Sequence, residues 1–418
     1  MRFPEAVGSP PRPASGPALP AVRADGRPLQ VVLVSTYELG RQPFGVASAA
    51  AWLRRAGATV TCVDLAVETM PTAVLSAADV VAFSVPMHTA TRLAAAAAER
   101  VKAVNPTAHL CFFGLYAPVN EGFLRRLGAK TILGGEFEPG LVALVTRLAA
   151  QPEGYEQDPV REPSIALQRQ QFLVPDRHGL PALGRYAALI LPDGERRTVG
   201  YTEASRGCKH RCRHCPIVPV YGGRFRIVSR DVVLEDIHHQ VAAGARHISF
   251  GDPDFFNGIG HALPLVRALH DEFPDLTYDV TIKIEHLLRY AAHLTTLRDT
   301  GCLFVTSAVE AIEDPILEIF DKRHTRADFL RVLSLFREVG LALCPTFVTF
   351  TPWTSLEGYR ALLALLAELG LIESLPPIQL TIRLLIPAGS LLIQRPDVQA
   401  LATAFDETAL RYRWAHPD

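Results

Sequence analysis

From Leu29 to Ile386, short apolar runs alternate with longer stretches whose apolar residues recur at helical spacing. "LQVVLVS" is followed by "GVASAAAWLRRAG" and "ATVTCVDL". The alternation continues through "DVVAFSV", "TATRLAAAAAERVKAV", "HLCFFG", "EGFLRRLG", "KTILGG" and "GLVALVTRLAA". The runs are apolar on both faces, as parallel strands covered by helices must be. They predict a doubly wound parallel α/β sheet over residues 29–150. Ahead of it, residues 1–28 are rich in Pro, Ala and Gly and lack periodicity, which predicts a disordered arm. Residues 151–197 read as a linker, polar and Pro-containing in "QPEGYEQDPVREP". Its later part, "FLVPDRHGLPALGRYAAL", is apolar enough to pack across a domain junction.

A second alternating series starts at "RTVGYTEAS". Its further strands are "HISFGD", "TYDVTIKI", "CLFVTSAVE", "ALCPTFVTF" and "IQLTIRLLI". Its helices include "DVVLEDIHHQVAAG", "ALPLVRALHDEF", "HLLRYAAHLTTLRDTG", "RADFLRVLSLFREVG" and "SLEGYRALLALLAELG". Six βα-type units over residues 198–395, without a seventh and eighth, predict a partial (β/α)6 barrel, with 396–418 as a C-terminal segment. Ligands of such folds gather at the C-terminal ends of the strands.

Composition narrows the partners. The chain has 418 residues, 49% hydrophobic and 20% charged, with net charge −1. That balance gives no nucleic-acid footprint. No apolar run reaches membrane-spanning length, and no secretory leader pattern opens the chain. Seven cysteines, an odd number outside a small secreted scaffold, point to a reducing compartment and hence the cytoplasm.

Three of those cysteines fall in "RGCKHRCRHC", as Cys208, Cys212 and Cys215. The loop follows the first strand of the second series, on the ligand-binding rim. Structural zinc wants four closed ligands; His210 or His214 can supply a fourth, but no second Cys pair exists. A disulfide accounts for two thiols, not three. Three thiolates on a four-iron cluster leave one iron open to a further ligand. Cys62, Cys111, Cys302 and Cys344 sit in apolar segments that read as buried strands.

The three-cysteine loop and the six units resemble the radical S-adenosylmethionine (SAM) superfamily. The resemblance implies a 4Fe-4S cluster whose open iron chelates the amino and carboxylate groups of SAM. It also implies an electron donor such as flavodoxin or ferredoxin and reductive C–S cleavage to a carbon radical. His214 takes the place, before the third cysteine, of a residue lying by the adenine. Gly251, Asp252, Pro253 and Asp254 in "FGDPDF" stand where the family holds the SAM amino group; a plain Asp-Pro turn is the alternative. Ser307 and Glu310 in "TSAVE" match further SAM contacts, or else a solvated strand end. The only lysines among 42 basic residues are Lys102, Lys130, Lys209, Lys283 and Lys322. Lys283 in "IKIEH" and Lys322 in "DKRHT" suit point contacts to a carboxylate, or else lie on the surface.

The first series resembles the cobalamin-binding domain that precedes many radical SAM barrels. Ser84 in "FSVPMHT" and Gly134 and Gly135 in "LGGE" match its strand-end positions, where glycine lets backbone approach a ligand. The family's Asp-x-His-x-x-Gly loop is absent; the first strand leads into "STYELGRQPFG". Cobalamin would then be held by backbone and packing near Tyr37, Ser84, Met87, Gly114, Gly134 and Gly135, with no protein imidazole on cobalt. A vestigial structural domain is the alternative. "HCPIVPVYGGRFRIV", "SFGDPDFFNGIGHAL", "KIEHLL", "FTPWTSLEGY" and "IRLLIPAGSLL" resemble the CUAEP/CCAEP-tail radical SAM group, related to the radical SAM enzyme of arsinothricin biosynthesis. The cysteine-bearing tail naming that group is not seen after Cys344; either it has been cut or this member never had it, which leaves a tail-dependent step open. The resemblance implies an enzyme acting on a small molecule, cleaving SAM to a 5′-deoxyadenosyl or a 3-amino-3-carboxypropyl radical. The reading from another class is a non-catalytic corrinoid- or metal-binding module. Substrate contacts lie on variable loops, so no catalytic residue is assigned.

Overall fold

The structure, a computed structural model, describes residues 21–150 and 162–416. Strands β1 (Gln30–Ser35), β2 (Thr59–Asp64), β3 (Val80–Ser84), β4 (His109–Phe113), β5 (Thr131–Gly135) and β6 (Ile165–Ala166) form one parallel sheet in the order β2-β1-β3-β4-β5-β6. Successive side chains alternate between its faces. Leu33 and Phe113 pack under helices Phe44–Arg55 and Glu138–Ala150; Val34 and Phe112 pack under helix His88–Val104. That last helix buries Ala90, Ala94 and Ala98, whose small side chains let it lie close to the sheet. The direction in which strands are added reverses between β1 and β3, the switch point where doubly wound sheets open a crevice.

Residues 21–28, expected to be disordered, are anchored at Ala21 and Arg23, while 24–27 stay exposed. Ala21 is fully buried, its N–H donates to Ala56 O at 2.6 Å, and Arg23 pairs with Asp79. An apolar residue after a Pro-rich run covers the open end of the sheet there. Residues 1–20 of the expected arm, and 151–161 of the expected linker, lie outside the described residues.

The second sheet begins with β7 (Ala188–Ile190) and β8 (Arg196–Thr202). A short antiparallel pair, β9 (Ser205–Gly207) and β10 (Phe225–Ile227), follows. Then come β11 (His247–Phe250), β12 (Thr277–Thr281), β13 (Cys302–Glu310) and β14 (Ala342–Phe347). The order is β14-β13-β12-β11-β8-β7, parallel from β8 to β14, with β7 antiparallel at the edge. This is the α/β half-barrel expected. Its sixth position is reduced to one parallel bridge, Phe350 to Arg383, closed by Phe350 N–H to Ile382 O at 2.9 Å and Leu384 N–H to Phe350 O at 2.7 Å. Pro376 and Pro377 start a 3-10 turn over Pro377–Leu380, which leaves no room for a longer strand. Ile248, Val280, Val305 and Leu343 face the outer helices; His247, Asp279 and Thr306, one residue out of phase, face the interior.

The stretch 162–197 joins both sheets. The Asp176 N–H donates to Ala47 O at 3.0 Å, and Arg177 reaches Gln42 Oε1 at 2.8 Å, Tyr201 O at 2.7 Å and Asp236 Oδ2 at 2.9 Å. The end of the chain folds back as the antiparallel pair β15 (Ala402–Asp406) and β16 (Arg411–Trp414), where Trp414 Nε1 donates to Leu384 O at 2.8 Å. No described helix is long and apolar enough to cross a membrane.

Candidate functional site

The three-cysteine loop leaves β9 at Gly207, φ +73°. A Cβ there would lie 2.4 Å from the Tyr221 ring and 2.5 Å from Arg224 O, so only glycine makes this turn. The Cys208 N–H donates to Arg224 O and the Cys215 N–H to Cys212 O, both at 3.1 Å. Arg213 fastens the loop to helix Asp314–Phe320. Its N–H donates to Phe320 O at 2.9 Å, and its guanidinium donates to Glu318 O and Ile319 O at 2.9 and 3.0 Å. A cation at a helix C-terminus is favoured by the helix dipole. All three thiols are free, and Asn257 Nδ2 donates to Cys208 Sγ at 3.4 Å. Burial pushes the Cys208 thiol upward and the Cys215 thiol to about 12. Three soft donors on one anchored loop suit an iron–sulfur cluster, which takes them as thiolates.

Two polar groups flank the loop. On one side, His214 Nε2 lies 3.0 Å from Glu310 Oε1, and the Lys322 ammonium donates to the same oxygen at 3.4 Å. The His214 ring packs on Phe320 at 4.5 Å. Burial would raise the Glu310 carboxyl, but Lys322 and His214 override it and hold the group at about 2. His214, Glu310 and Lys322 are thus brought together. Glu310 takes φ +71°, rare for a non-glycine residue, at the strand end where its carboxylate meets Lys322.

On the other side, four expected SAM contacts are placed differently. Asp252 spends both carboxylate oxygens behind the loop, accepting from Ala204 N–H at 2.9 Å and Ser205 Oγ at 2.5 Å. Asp254 faces His210 Nε2 at 3.2 Å and His286 Nδ1 at 2.8 Å. Lys283 turns to His210 Nδ1 and Glu285 Oε2, each at 3.2 Å. Ser307 shares the outer face of β13 with Val305 and Val309, under the helices, because side chains alternate along a strand. "TSAVE" marks the strand end correctly but not which alternate residue turns inward.

Gly251 and Pro253 line a cavity of about 260 Å³ between the two sheets. A Cβ on Gly251 would lie 1.9 Å from the Tyr201 hydroxyl. From the first sheet come Glu38, Phe44, Ser84, Met87, Gly114 and Gly135; the barrel side adds Tyr201, Arg206, Gly207, Ile217 and Tyr221. Four of the six residues expected near cobalamin, Ser84, Met87, Gly114 and Gly135, therefore share this wall. Tyr37 and Gly134 do not line it. A Cβ on Gly134 would strike Pro118 at 2.4 Å, and one on Gly135 would meet Ala166 O at 2.3 Å, so both glycines serve packing. Among the described residues, no histidine lines the cavity.

Arg206 and its carboxylates went unassigned in the sequence. Arg206 is buried between the sheets, with Glu138 Oε1 at 2.5 Å, Glu203 Oε2 at 2.8 Å and Glu136 Oε2 at 3.6 Å. Phe44, Phe137 and Phe172 surround its guanidinium at 5.8, 5.2 and 5.0 Å. Burial, with Glu138 and Glu203 nearby, pushes Glu136 up to about 7; burial with Asp64 and Glu203 pushes Glu38 to about 8. The available signal was an acidic pair directly after Gly135 and an arginine two residues before Cys208.

A parallel sheet edge facing a half-barrel whose mouth carries three free thiols defines a class. Residues 202–363 match the Radical SAM superfamily, so the half-barrel is a domain of that kind. Among curated proteins it is 26% identical over 178 residues to ribosomal protein uS12 methylthiotransferase RimO of Geobacter sulfurreducens, covering 40% of this chain and 39% of that protein. It is 24% identical over 151 residues to hopanoid C-3 methylase of Methylococcus capsulatus, covering 36% and 29%. The chain spans about two-fifths or less of the length of these relatives. Among solved structures it resembles the radical SAM methyltransferase TsrM from Kitasatospora setae, with TM-score 0.65 and 18% identity over 82% of this chain and 71% of that one. It also resembles the cobalamin-dependent SAM radical enzyme OxsB with aqua-cobalamin bound, with TM-score 0.64 and 15% identity over 93% and 65%. At these identities the likeness is one of fold, and it extends across both sheets.

Proposed function

We propose that this chain is a radical SAM enzyme that transfers a carbon group to a small-molecule substrate, with Cys208, Cys212 and Cys215 holding a 4Fe-4S cluster. The observation that carries the reading is the shared cavity. One wall is the C-terminal edge of a doubly wound sheet; the other is built from residues on both sides of the three-cysteine loop. The cluster, when bound with SAM, supplies one-electron cleavage of a C–S bond. Lys322 offers a compact cation for a carboxylate, and Glu310 holds it in place. His214, braced by Phe320 and Glu310, presents a flat face for an adenine ring. Asp252 ties Ala204 and Ser205 to the turn after β11, which fixes the start of the loop.

The first-sheet wall fits a corrin ring better than a polar ligand. Phe44 and Met87 give it apolar surface, and Gly114 and Gly135 line it with backbone alone. Cobalamin, if bound there, would be held by this wall and would supply a methyl carrier. An electron donor such as flavodoxin or ferredoxin serves as reductant.

The test is anaerobic reconstitution with iron, sulfide and SAM, followed by reduction and mass spectrometry of SAM-derived products, with and without cobalamin. Radical chemistry yields 5′-deoxyadenosine or methylthioadenosine, and methyl transfer adds S-adenosylhomocysteine. Retention of near one cobalamin per chain supports the methyl carrier. If none is retained and products do not change on adding it, the first sheet is structural and the adenosyl or aminocarboxypropyl route stands instead. Absence of all SAM cleavage in fully iron-loaded protein would overturn the reading in favour of a non-catalytic binding module.

A further inference from the structure

Beside the three thiols, the structure brings together three ligand atoms that no part of the reading above uses. They are His210 Nε2, Asp254 Oδ2 and His286 Nδ1, all within 4.8 Å of one another. Asp254 is 1% exposed and His286 6%. Oδ2 stands 2.8 Å from Nδ1 and 3.2 Å from Nε2, yet none of the three atoms has a hydrogen-bond partner of acceptable alignment. Buried polar atoms are paired in the great majority of cases, so three converging orphans point to an absent ion. We propose that these atoms form a site for one divalent transition cation of the zinc type, distinct from the cysteine site.

The geometry and chemistry agree. Ligands on a metal at about 2.0–2.1 Å lie roughly 2.9–3.4 Å from one another for octahedral to tetrahedral angles. The observed 2.8 and 3.2 Å to Asp254 Oδ2 lie close to that range, and the two imidazole nitrogens, within 4.8 Å of each other, close onto the ion by side-chain rotation. Two imidazoles and one carboxylate suit zinc and its first-row neighbours rather than magnesium or calcium, which prefer oxygen. The ligands are also oriented from behind. Asp254 Oδ1 accepts the Phe256 N–H at 3.2 Å, and Glu285 Oε2 stands 3.7 Å from His210 Nδ1, placed to take the proton that a metal-bound imidazole keeps there. Lys283 opposes the site, because its ammonium now donates to that same Nδ1. Loading therefore requires Lys283 to give up His210 and keep only Glu285.

The three ligands come from different segments: the cysteine loop, the turn after β11 and helix Ile284–Arg289. A cation here would pin the loop to the strand ends on which it rests. The site is thus a positioning device for the loop, and its occupancy is separable from SAM cleavage.

The experiment adds zinc to fully iron-loaded protein, desalts it, and counts zinc and iron by elemental analysis; the zinc K-edge spectrum reads the ligands. Wild type should keep about one zinc per chain with an N/O shell at about 2.0–2.1 Å and no sulfur. D254N and H286Q should each weaken retention at least tenfold while keeping their iron, and K283Q should tighten it. Magnesium should not compete. Failure of iron-loaded wild type to keep zinc, a sulfur shell, or equal retention in D254N and H286Q would each overturn the proposal. Loss of iron from wild type itself would instead count against the cysteine cluster.

Discussion

The two strand edges that meet at the cavity are built on opposite plans. The edge of the first sheet offers shape: Ser84, Gly114 and Gly135 are small, Phe44 and Met87 are apolar, and its glycines answer to Pro118, Val85 and Ala166 O. The barrel mouth offers charge, and nearly every ionisable group there is already engaged. Glu310 holds Lys322 and His214; Asp252 holds Ser205; Asp254 faces two histidines. A shape-built edge tolerates several occupants of one outline, whereas a charge-built mouth commits each residue to one task. On this contrast, substitutions at the mouth should act strongly and specifically, and substitutions at the sheet edge weakly and by size.

The largest effect is expected at the thiols. Replacing Cys208, Cys212 or Cys215 with Ala should abolish SAM cleavage and remove the cluster's visible absorption, while Ser84→Ala at the opposite edge should change turnover less than about tenfold, or 1.4 kcal/mol. Comparable losses from both would erase the contrast. Next comes Arg206, a charge that bridges the two plans. Arg206→Met leaves Glu136, Glu138 and Glu203 buried without their cation. Breaking a buried ion pair from one side costs about 3–5 kcal/mol. Urea unfolding should show a loss of that size, and a change below about 1 kcal/mol would mean the bridge is decorative.

A smaller effect is expected at the SAM pocket. Glu310→Gln keeps shape but releases Lys322 and His214 from a charged acceptor. Equilibrium dialysis should then show SAM binding about tenfold weaker, close to 1.4 kcal/mol, with iron content unchanged. Ser307→Ala serves as the control: its Oγ lies under the helices, so SAM affinity should stay at the wild-type value.

The same contrast explains what the sequence reveals. Apolar runs set both sheets, because a strand buried on two faces has no other composition available; "DVVAFSV" and "HISFGD" become β3 and β11. The cysteine loop was legible because thiol spacing is itself the chemistry. "IQLTIRLLI" looked like a full strand, yet Pro376 and Pro377 reduce it to a single bridge. Phase was lost at Ser307, since one residue of offset at a strand end reverses the face. Partners were invisible for Asp254 and Lys283, because His286 and His210 approach from other segments. Gly134 and Gly135 carried a true signal of close approach, but what approaches is Pro118 and Ala166. The Arg206 network escaped notice because its members are scattered from Ser48 to Arg206 and meet only when the sheets pack.

The last prediction sharpens the contrast through pH. Glu136 is buried at the junction, and that burial, reinforced by Glu138 and Glu203 and opposed by Arg206, raises its carboxyl from 4.5 to about 7. Between those values the folded chain holds a proton that the unfolded chain has released. Stability must then fall as pH rises through this window and level off above it. Glu38, raised to about 8, and Asp252, raised to about 7, add slope of the same sign. His109 and His324, held by burial at about 3 and about 4, act with the opposite sign below pH 6.5, so the readout is the difference between two proteins. Glu136→Gln removes one titrating group without removing its bulk, so between pH 5 and pH 8 wild type should lose on the order of 1–3 kcal/mol more than the variant. Denaturant titrations of both proteins at pH 5, 6, 7 and 8 measure the difference. Parallel curves would show that Glu136 stays ionised beside Arg206 throughout, and the junction would then be a balanced ion-pair network rather than a carboxylate store one cation short.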